Sequence, residues 1–106
     1  MTKNIVISIP AYNEEKSIGN VINSIKKVMN KTKYKYKISV VSDGSKDKTV
    51  EVAKKCGAIV YPLPYNYGLA EAFRTEMKKA LELKADIIVH TDADGQVGVV
   101  KQADHE

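Results

Sequence analysis

Short apolar runs alternate along this chain with segments whose apolar residues recur every three or four positions. Ile5 to Ile9 is a β-branched run closed by Pro10, which predicts a buried first strand. Ile18, Val21, Ile22, Ile25, Val28 and Met29 then follow at helical spacing. Asn13 is placed to cap that helix, with Glu14 and Glu15 favourable in its first turn. Lys37 to Ser42, centred on Ile38, Val40 and Val41, predicts a second strand. A second helix is expected from Asp47 to Cys56, with Lys54 and Lys55 in its last turn and Gly57 just past it as a stop signal. Ala58 to Tyr61 predicts a short third strand, ended by Pro62 and Pro64. Leu69, Ala72, Phe73, Met77, Ala80 and Leu81 mark a third helix, and Asp86 to Thr91 a fourth strand.

The order β-α-β-α-β-α-β calls for a parallel sheet with right-handed crossovers. Its simplest doubly wound form is a Rossmann-like α/β fold with strand order 3-2-1-4 and flanking helices. The chain reverses direction across such a sheet between strands one and four. Ligands bind there, beyond the carboxyl ends of the strands. The polar segments after strands one, two and four are therefore where a site is expected.

Composition narrows the picture only a little. The 106 residues suffice for one domain, and 43% hydrophobic content is ordinary for a globular protein. No apolar run approaches the ~20 residues needed to cross a bilayer, and Met1 to Asn4 does not open a signal peptide. One cysteine, Cys56, excludes an internal disulfide and fits a reducing compartment, so a cytoplasmic location is expected. The net charge of +4 is uneven: Lys26, Lys27, Lys31, Lys33, Lys35 and Lys37 fall in one acid-free stretch. A solvated helix end and loop explains them, and the sharper alternative is a patch facing anionic headgroups on the cytoplasmic face of a membrane. Nucleic acid is not expected as a partner, because Arg74 is the only arginine and no aromatic interleaving supports base stacking.

Candidate chemistry sits at the strand ends. Asp92-Ala93-Asp94-Gly95-Gln96 follows the fourth strand. Two carboxylates one residue apart repel each other unless a cation or hydrogen bonds compensate. Mg²⁺ and Mn²⁺ are held by oxygen donors, commonly one or two carboxylates together with substrate phosphates. Ala93 and Gly95 are small enough for a diphosphate to approach the backbone. The bland reading is a turn with solvated aspartates. After strand one, Pro10-Ala11-Tyr12-Asn13-Glu14-Glu15 offers an aromatic face for a base and acceptors for ribose hydroxyls. After strand two, Asp43 can accept from a base N–H and Gly44 permits a tight turn, although a turn and helix cap explains that segment equally well, and Asp47 belongs to the cap. No Gly-rich phosphate loop occurs. A diphosphate bound among these acids would need a metal bridge, which suits displacement at a sugar carbon.

As a set, IPAYNEE, VVSDGSKDKT, NYGLAEAFRTEMKKAL and HTDADGQ resemble, in order and spacing, the family 2 inverting glycosyltransferases of the GT-A fold. The likeness is greatest to the branch of dolichol-phosphate mannosyltransferases and related polyprenyl-phosphate glycosyltransferases. By position, the resemblance implies that Pro10, Ala11, Tyr12 and Glu14 line a nucleotide pocket and that Asp43 holds the base. It implies that Asp92 and Ala93 touch the ribose and diphosphate, and that Asp92, Asp94 and Gln96 coordinate Mg²⁺ or Mn²⁺. Gly68 would shape the floor of the site, and Ser42 stands where many relatives carry a second aspartate. The donor would be a GDP- or UDP-sugar, and the acceptor a polyprenyl phosphate at a membrane surface or a glycan.

The resemblance covers residues 1–96 as the nucleotide-sugar-binding half of such a domain and leaves 97–106 as an atypical tail. No residue here is assigned as the acceptor-side base, which is expected in a further half. The isolated chain is accordingly expected to bind a nucleoside diphosphate weakly and turn over slowly, with a non-catalytic nucleotide-binding module as the alternative. A phosphorylated receiver domain is disfavoured, because no acidic pair follows strand one directly. His90 reads as a core or edge histidine and Cys56 as a buried thiol. The fourth strand would be an exposed apolar edge, covered by Val97 to Val100 or by a second copy in a homo-oligomer.

Overall fold

The computed structural model describes residues 3–93 and, for their backbone, residues 97–100. Five strands form one sheet in the order β3-β2-β1-β4-β5: β1 is Asn4–Ala11, β2 Lys35–Asp43, β3 Ile59–Leu63, β4 Ile87–Thr91 and β5 Val97–Val100. The first four run parallel in the expected order. Helices α1 (Ile18–Met29), α2 (Thr49–Lys55) and α3 (Leu69–Glu82) make the crossovers.

Strand β1 lies at the centre and is buried on both faces, which its run of β-branched residues anticipates. Side chains alternate across a strand. Ile5, Ile7, Ile9 and Ala11 therefore face α1 and α2, where they cluster with Ile18, Ile22, Ile38, Val40 and Ala53. Val6 faces the other way, with Ile88, Ala80 and Ala85 on the side of α3. Ser8 alternates with the same face as Val6, beside its register partner His90 on β4.

Pro10 does not end β1. Pairing with β4 stops at Ser8, so Pro10 and Ala11 extend a strand that has a neighbour, β2, on one side only. A proline is tolerated where one ladder has ended. Pro62 is likewise inside β3, which is the sheet's edge.

Antiparallel pairing of Val97–Val100 with Ile88–Thr91 covers β4. The route to a homo-oligomer through an exposed fourth strand is thereby closed, since the backbone groups of β4 are paired on both sides.

Helix α1 begins at Ile18, where its apolar spacing starts and later than a cap at Asn13 would place it, with no acid in its first turn. Asn13 adopts a left-handed conformation (φ 53°) and its side chain accepts from the Lys46 amide at 2.8 Å, so it serves a tertiary contact instead of a cap. Helix α2 ends as its sequence predicts. The Gly57 amide donates to Lys54 and the Ala58 amide to Ala53, with Gly57 left-handed at φ 94°. Lys26 reaches from α1 to donate to the Cys56 carbonyl at 2.9 Å. Cys56 is partly buried against the core instead of enclosed in it.

Candidate functional site

Two loops at the carboxyl end of the sheet are clasped together. The Asn13 amide donates to Ser45 Oγ (3.1 Å), the Glu14 amide to Thr49 Oγ1 (2.8 Å) and the Glu15 amide to Asp47 Oδ2 (3.2 Å). In return, the Lys48 amide donates to Glu15 Oε1 at 2.9 Å. Ser42, buried at the end of β2, donates to Ser45 Oγ and supports the same clasp. Asp47 closes it by accepting from both the amide and the hydroxyl of Thr49. Burial is the largest single influence and acts to raise the Asp47 pKa, but the hydrogen bonds from Thr49 and Glu15 together outweigh it and hold the carboxyl below its usual range. Asn13, Glu15 and Asp47 thus hold the two loops together.

Asp43 ties in a third loop. It is buried, and its two oxygens accept from the backbone amides of Tyr67 (2.8 Å) and Gly68 (3.1 Å). This fixes the entry to α3 against the end of β2. Gly44 makes that packing possible: a side chain there would meet the backbone of Tyr65 and Asn66 at 2.4 Å.

Between these loops lies a cavity of about 270 Å³, lined by Pro10, Ala11, Tyr12, Glu14, Asp43, Asp92 and Ala93. Those seven come from the ends of β1, β2 and β4, the three segments that strand order marked out. Leu69 and Ala72 of α3 complete the lining and were not anticipated. Tyr12 is 44% exposed, so a planar group has room to lie on its ring. Glu14 Oε1 accepts from Ser17 Oγ at 3.2 Å, which steadies its carboxylate beside the cavity. A second cavity, about 480 Å³ between α1 and β4, is larger but walled by residues such as Val21, Ile25, Met29 and Val89. Its lining holds no carboxylate, and we place the site in the smaller, acidic one.

Asp92 stands at the rim, with its side chain 48% exposed. Asp94 and Gln96, the other expected metal ligands, lie outside the described residues. Among the described residues, no group of three or more His, Cys, Asp or Glu is arranged to hold a metal. A protein cage of that kind is unnecessary for Mg²⁺ or Mn²⁺, which accept one or two carboxylates with phosphates and water making up the shell. Asp92, a hard oxygen donor facing open space beside a nucleotide-sized cleft, fits that donor set.

Behind Asp92 is a pair that sequence spacing did not connect. Glu76 of α3 is fully buried; its Oε1 accepts from Ser8 Oγ (2.8 Å) and meets His90 Nδ1 (2.9 Å). Burial pushes the Glu76 carboxyl above its usual range, while the Ser8 hydrogen bond and His90 oppose the rise. His90 Nε2 lies 3.6 Å from Asp92 Oδ1. The signal was present: Glu76 sits four residues from both Ala72 and Ala80, on the stripe that α3 buries.

The six lysines lie elsewhere. Lys31, Lys33, Lys35 and Lys37 are exposed near the amino end of β2, whereas the cavity is at its carboxyl end. The length of that strand, roughly 26 Å at ~3.3 Å per residue, separates the two.

A doubly wound parallel sheet with an acidic cleft at its switch point defines a ligand-binding domain of the α/β class. The sequence pattern described as "Glycosyl transferase family 2" matches residues 6–98, and the chain belongs to that family. It is 48% identical over 92 residues to an uncharacterized protein of Methanocaldococcus jannaschii, covering 87% of this chain and 36% of that one. It is also 38% identical to the UDP-N-acetylglucosamine–dolichyl-phosphate N-acetylglucosaminyltransferase of Methanococcus voltae, covering 89% of this chain and 42% of the relative. Among solved structures, glucosyl-3-phosphoglycerate synthase from Mycobacterium tuberculosis, in complex with Mn²⁺, UDP-glucose and phosphoglyceric acid, superimposes with a TM-score of 0.68 at 28% identity. That match covers 86% of this chain and 33% of the synthase. The fold is that of the GT-A glycosyltransferases, and the chain spans well under half the length of these proteins.

Proposed function

We propose that this chain forms the nucleotide-sugar-binding part of a glycosyltransferase that moves a sugar from a nucleoside diphosphate to a lipid-phosphate or glycan acceptor. The observation that carries the reading is the convergence of Tyr12, Glu14, Asp43 and Asp92 from three loops on one cleft. A cavity of about 270 Å³ is at the small end of the ~300–1,000 Å³ typical of ligand sites and suits the nucleoside portion.

Within it, the Tyr12 ring offers a face to the base. Asp43 keeps acceptor capacity for a base N–H beyond the two amides it holds. Glu14 and Asp92 accept from ribose hydroxyls. Ala72 and Ala93 are small, which leaves the backbone near Asp92 open to the diphosphate. Asp92, with Asp94 and Gln96 after it in sequence, would hold Mg²⁺ or Mn²⁺. When bound, such an ion neutralises charge on the departing diphosphate. An acceptor that is already an anionic phosphate attacks without a general base, which suits a polyprenyl phosphate. In the relatives' names, UDP-N-acetylglucosamine and a dolichyl phosphate are paired as donor and acceptor, which supports the same classes here.

A second reading is a module that binds nucleotide without transferring sugar, since the cleft residues Tyr12, Glu14, Asp43 and Asp92 account for donor binding by themselves. Calorimetric titration of UDP and GDP, with and without Mn²⁺, tests the binding common to both readings. Metal-dependent uptake that Asp92→Asn weakens at least about tenfold is expected, as for loss of a metal ligand or its support. Uptake indifferent to Mn²⁺ and to Asp92→Asn would refute the site. Sugar transfer to a polyprenyl phosphate by the 106-residue chain separates the enzyme from the binding module.

A further inference from the structure

Helix α3 presses Ala72, Glu76 and Ala80 onto the sheet, and all three are buried. A carboxylate in that row is costly unless every lone pair is served, and a leucine or methionine would fill the space more cheaply. Glu76 is served on one oxygen only. Oε1 takes Ser8 Oγ and His90 Nδ1, while Oε2 has no hydrogen-bond partner. Packing therefore does not account for an acid at this place.

What the acid does is hold an imidazole. Ser8 and His90 are register partners on adjacent strands, and Glu76 from the covering helix meets both. With Nδ1 held against the Glu76 carboxylate, Nε2 is turned towards Asp92 Oδ1, 3.6 Å away. Phe73, one turn earlier on α3, closes on the ring with centroids 5.6 Å apart and planes at 60°. The imidazole is thus clamped between helix and sheet. Asp92, by contrast, is 48% exposed at the cavity rim, and the His90 ring faces it.

We propose that Glu76 is a positioning residue that, through His90, sets the direction of the Asp92 carboxylate for the diphosphate and its divalent ion. The inference rests on the function proposed above. Partners one step behind a metal ligand orient it, and their loss weakens metal binding about 10–100-fold.

Glu76→Leu combined with His90→Phe tests this in the 106-residue chain. The pair removes the charges and hydrogen bonds of the relay but keeps its volume and the aromatic contact with Phe73. Exchanging a buried polar pair for apolar residues of similar size leaves stability unchanged or improved. The readout is Mn²⁺ uptake in the presence of UDP or GDP, followed by electron paramagnetic resonance of the free ion. The double variant is expected to stay folded, losing at most the contribution of the Ser8 hydroxyl's bond to Glu76, and to bind the Mn²⁺–nucleotide about 10–100-fold more weakly. Equal binding by parent and double variant overturns the inference and leaves the site itself intact. No binding by the parent overturns both.

Glu76→Gln supplies an independent arm should the double variant fold poorly. The amide oxygen still accepts from Ser8 and from His90 Nδ1, so binding should match the parent. The ¹⁵N signals of the His90 ring in the metal-free protein should then keep the hydrogen on Nδ1. A Gln variant that keeps that ring state but loses binding as fully as a relay-free protein would show that charge, and not orientation, matters, and would also overturn it.

Discussion

Replacing Gly44 with alanine should damage this protein more than the same change at Gly57, although both glycines have positive φ. At Gly57 (φ 94°), an added Cβ would lie 3.4 Å from Lys26 Nζ, the mobile end of a long side chain. Only the left-handed backbone is then penalised, at about 1–2 kcal/mol. At Gly44 (φ 73°), the Cβ would lie 2.4 Å from Asn66 N and 2.4 Å from Tyr65 C. Backbone cannot swing away, so the Tyr65–Asn66 segment must retreat by roughly 1 Å to reach ordinary contact. The next two amides, of Tyr67 and Gly68, are those bound to Asp43. Gly68 keeps an alternative acceptor in Asn66 Oδ1 at 3.1 Å, so one charged hydrogen bond is counted as lost, at about 1.5–3 kcal/mol. Adding the backbone penalty gives about 2.5–5 kcal/mol for Gly44→Ala, against a total stability of about 5–15 kcal/mol for a domain of this size. Urea unfolding of both variants, with the m-value checked for constancy, measures the difference. Equal losses at the two positions would refute the claim that the loop carrying Tyr67 is packed against Gly44.

Three further outcomes follow from local geometry. The raised pKa of Glu76 means that the unfolded chain releases this proton first, near 4.5, so stability falls as pH rises from there through the folded pKa. Glu76→Gln should therefore be more stable than the parent at pH 7, with the advantage shrinking as pH falls through the folded pKa to 4.5, as read from urea midpoints at pH 7 and 4.5. Asp47 has the opposite sign: its folded pKa lies below 3.8, so its contribution is present above that pH and is lost as pH falls through the folded value. Asp47→Ala should cost about 1 kcal/mol at neutral pH and make unfolding less sensitive to acid. Lys84 ends α3 with φ 62°, while the Ala85 amide bonds to Ala80 and the Lys84 amide to Leu81. Lys84→Gly should raise stability by about 0.5–1 kcal/mol in thermal or urea unfolding, since glycine carries no penalty for that conformation.

Alternation of β-branched runs with helical spacing was enough to place the four parallel strands and their order, because burial on both faces of β1 leaves that pattern little freedom. It was also enough to bring Pro10, Tyr12, Glu14, Asp43 and Asp92 to one end of the sheet, since each lies at or just past the end of a strand. Local sequence could not show that Asn13 would clasp the neighbouring loop instead of capping α1, because its partner, the Lys46 amide, is 33 residues away. Nor could it show which face of α3 would be buried. Of the residues that apolar spacing marked, Leu69, Phe73 and Leu81 are 83%, 41% and 50% exposed, while Ala72 and Ala80 meet the sheet together with Glu76, which the spacing did not mark. A helix face is chosen by what lies beneath it, and here that includes the hydroxyl of Ser8 and the ring of His90. Sequence alone pointed to the strand ends that converge on the cleft; tertiary packing set a buried acid of α3 behind Asp92, because residues 8, 76, 90 and 92 meet only once the sheet is paired and covered.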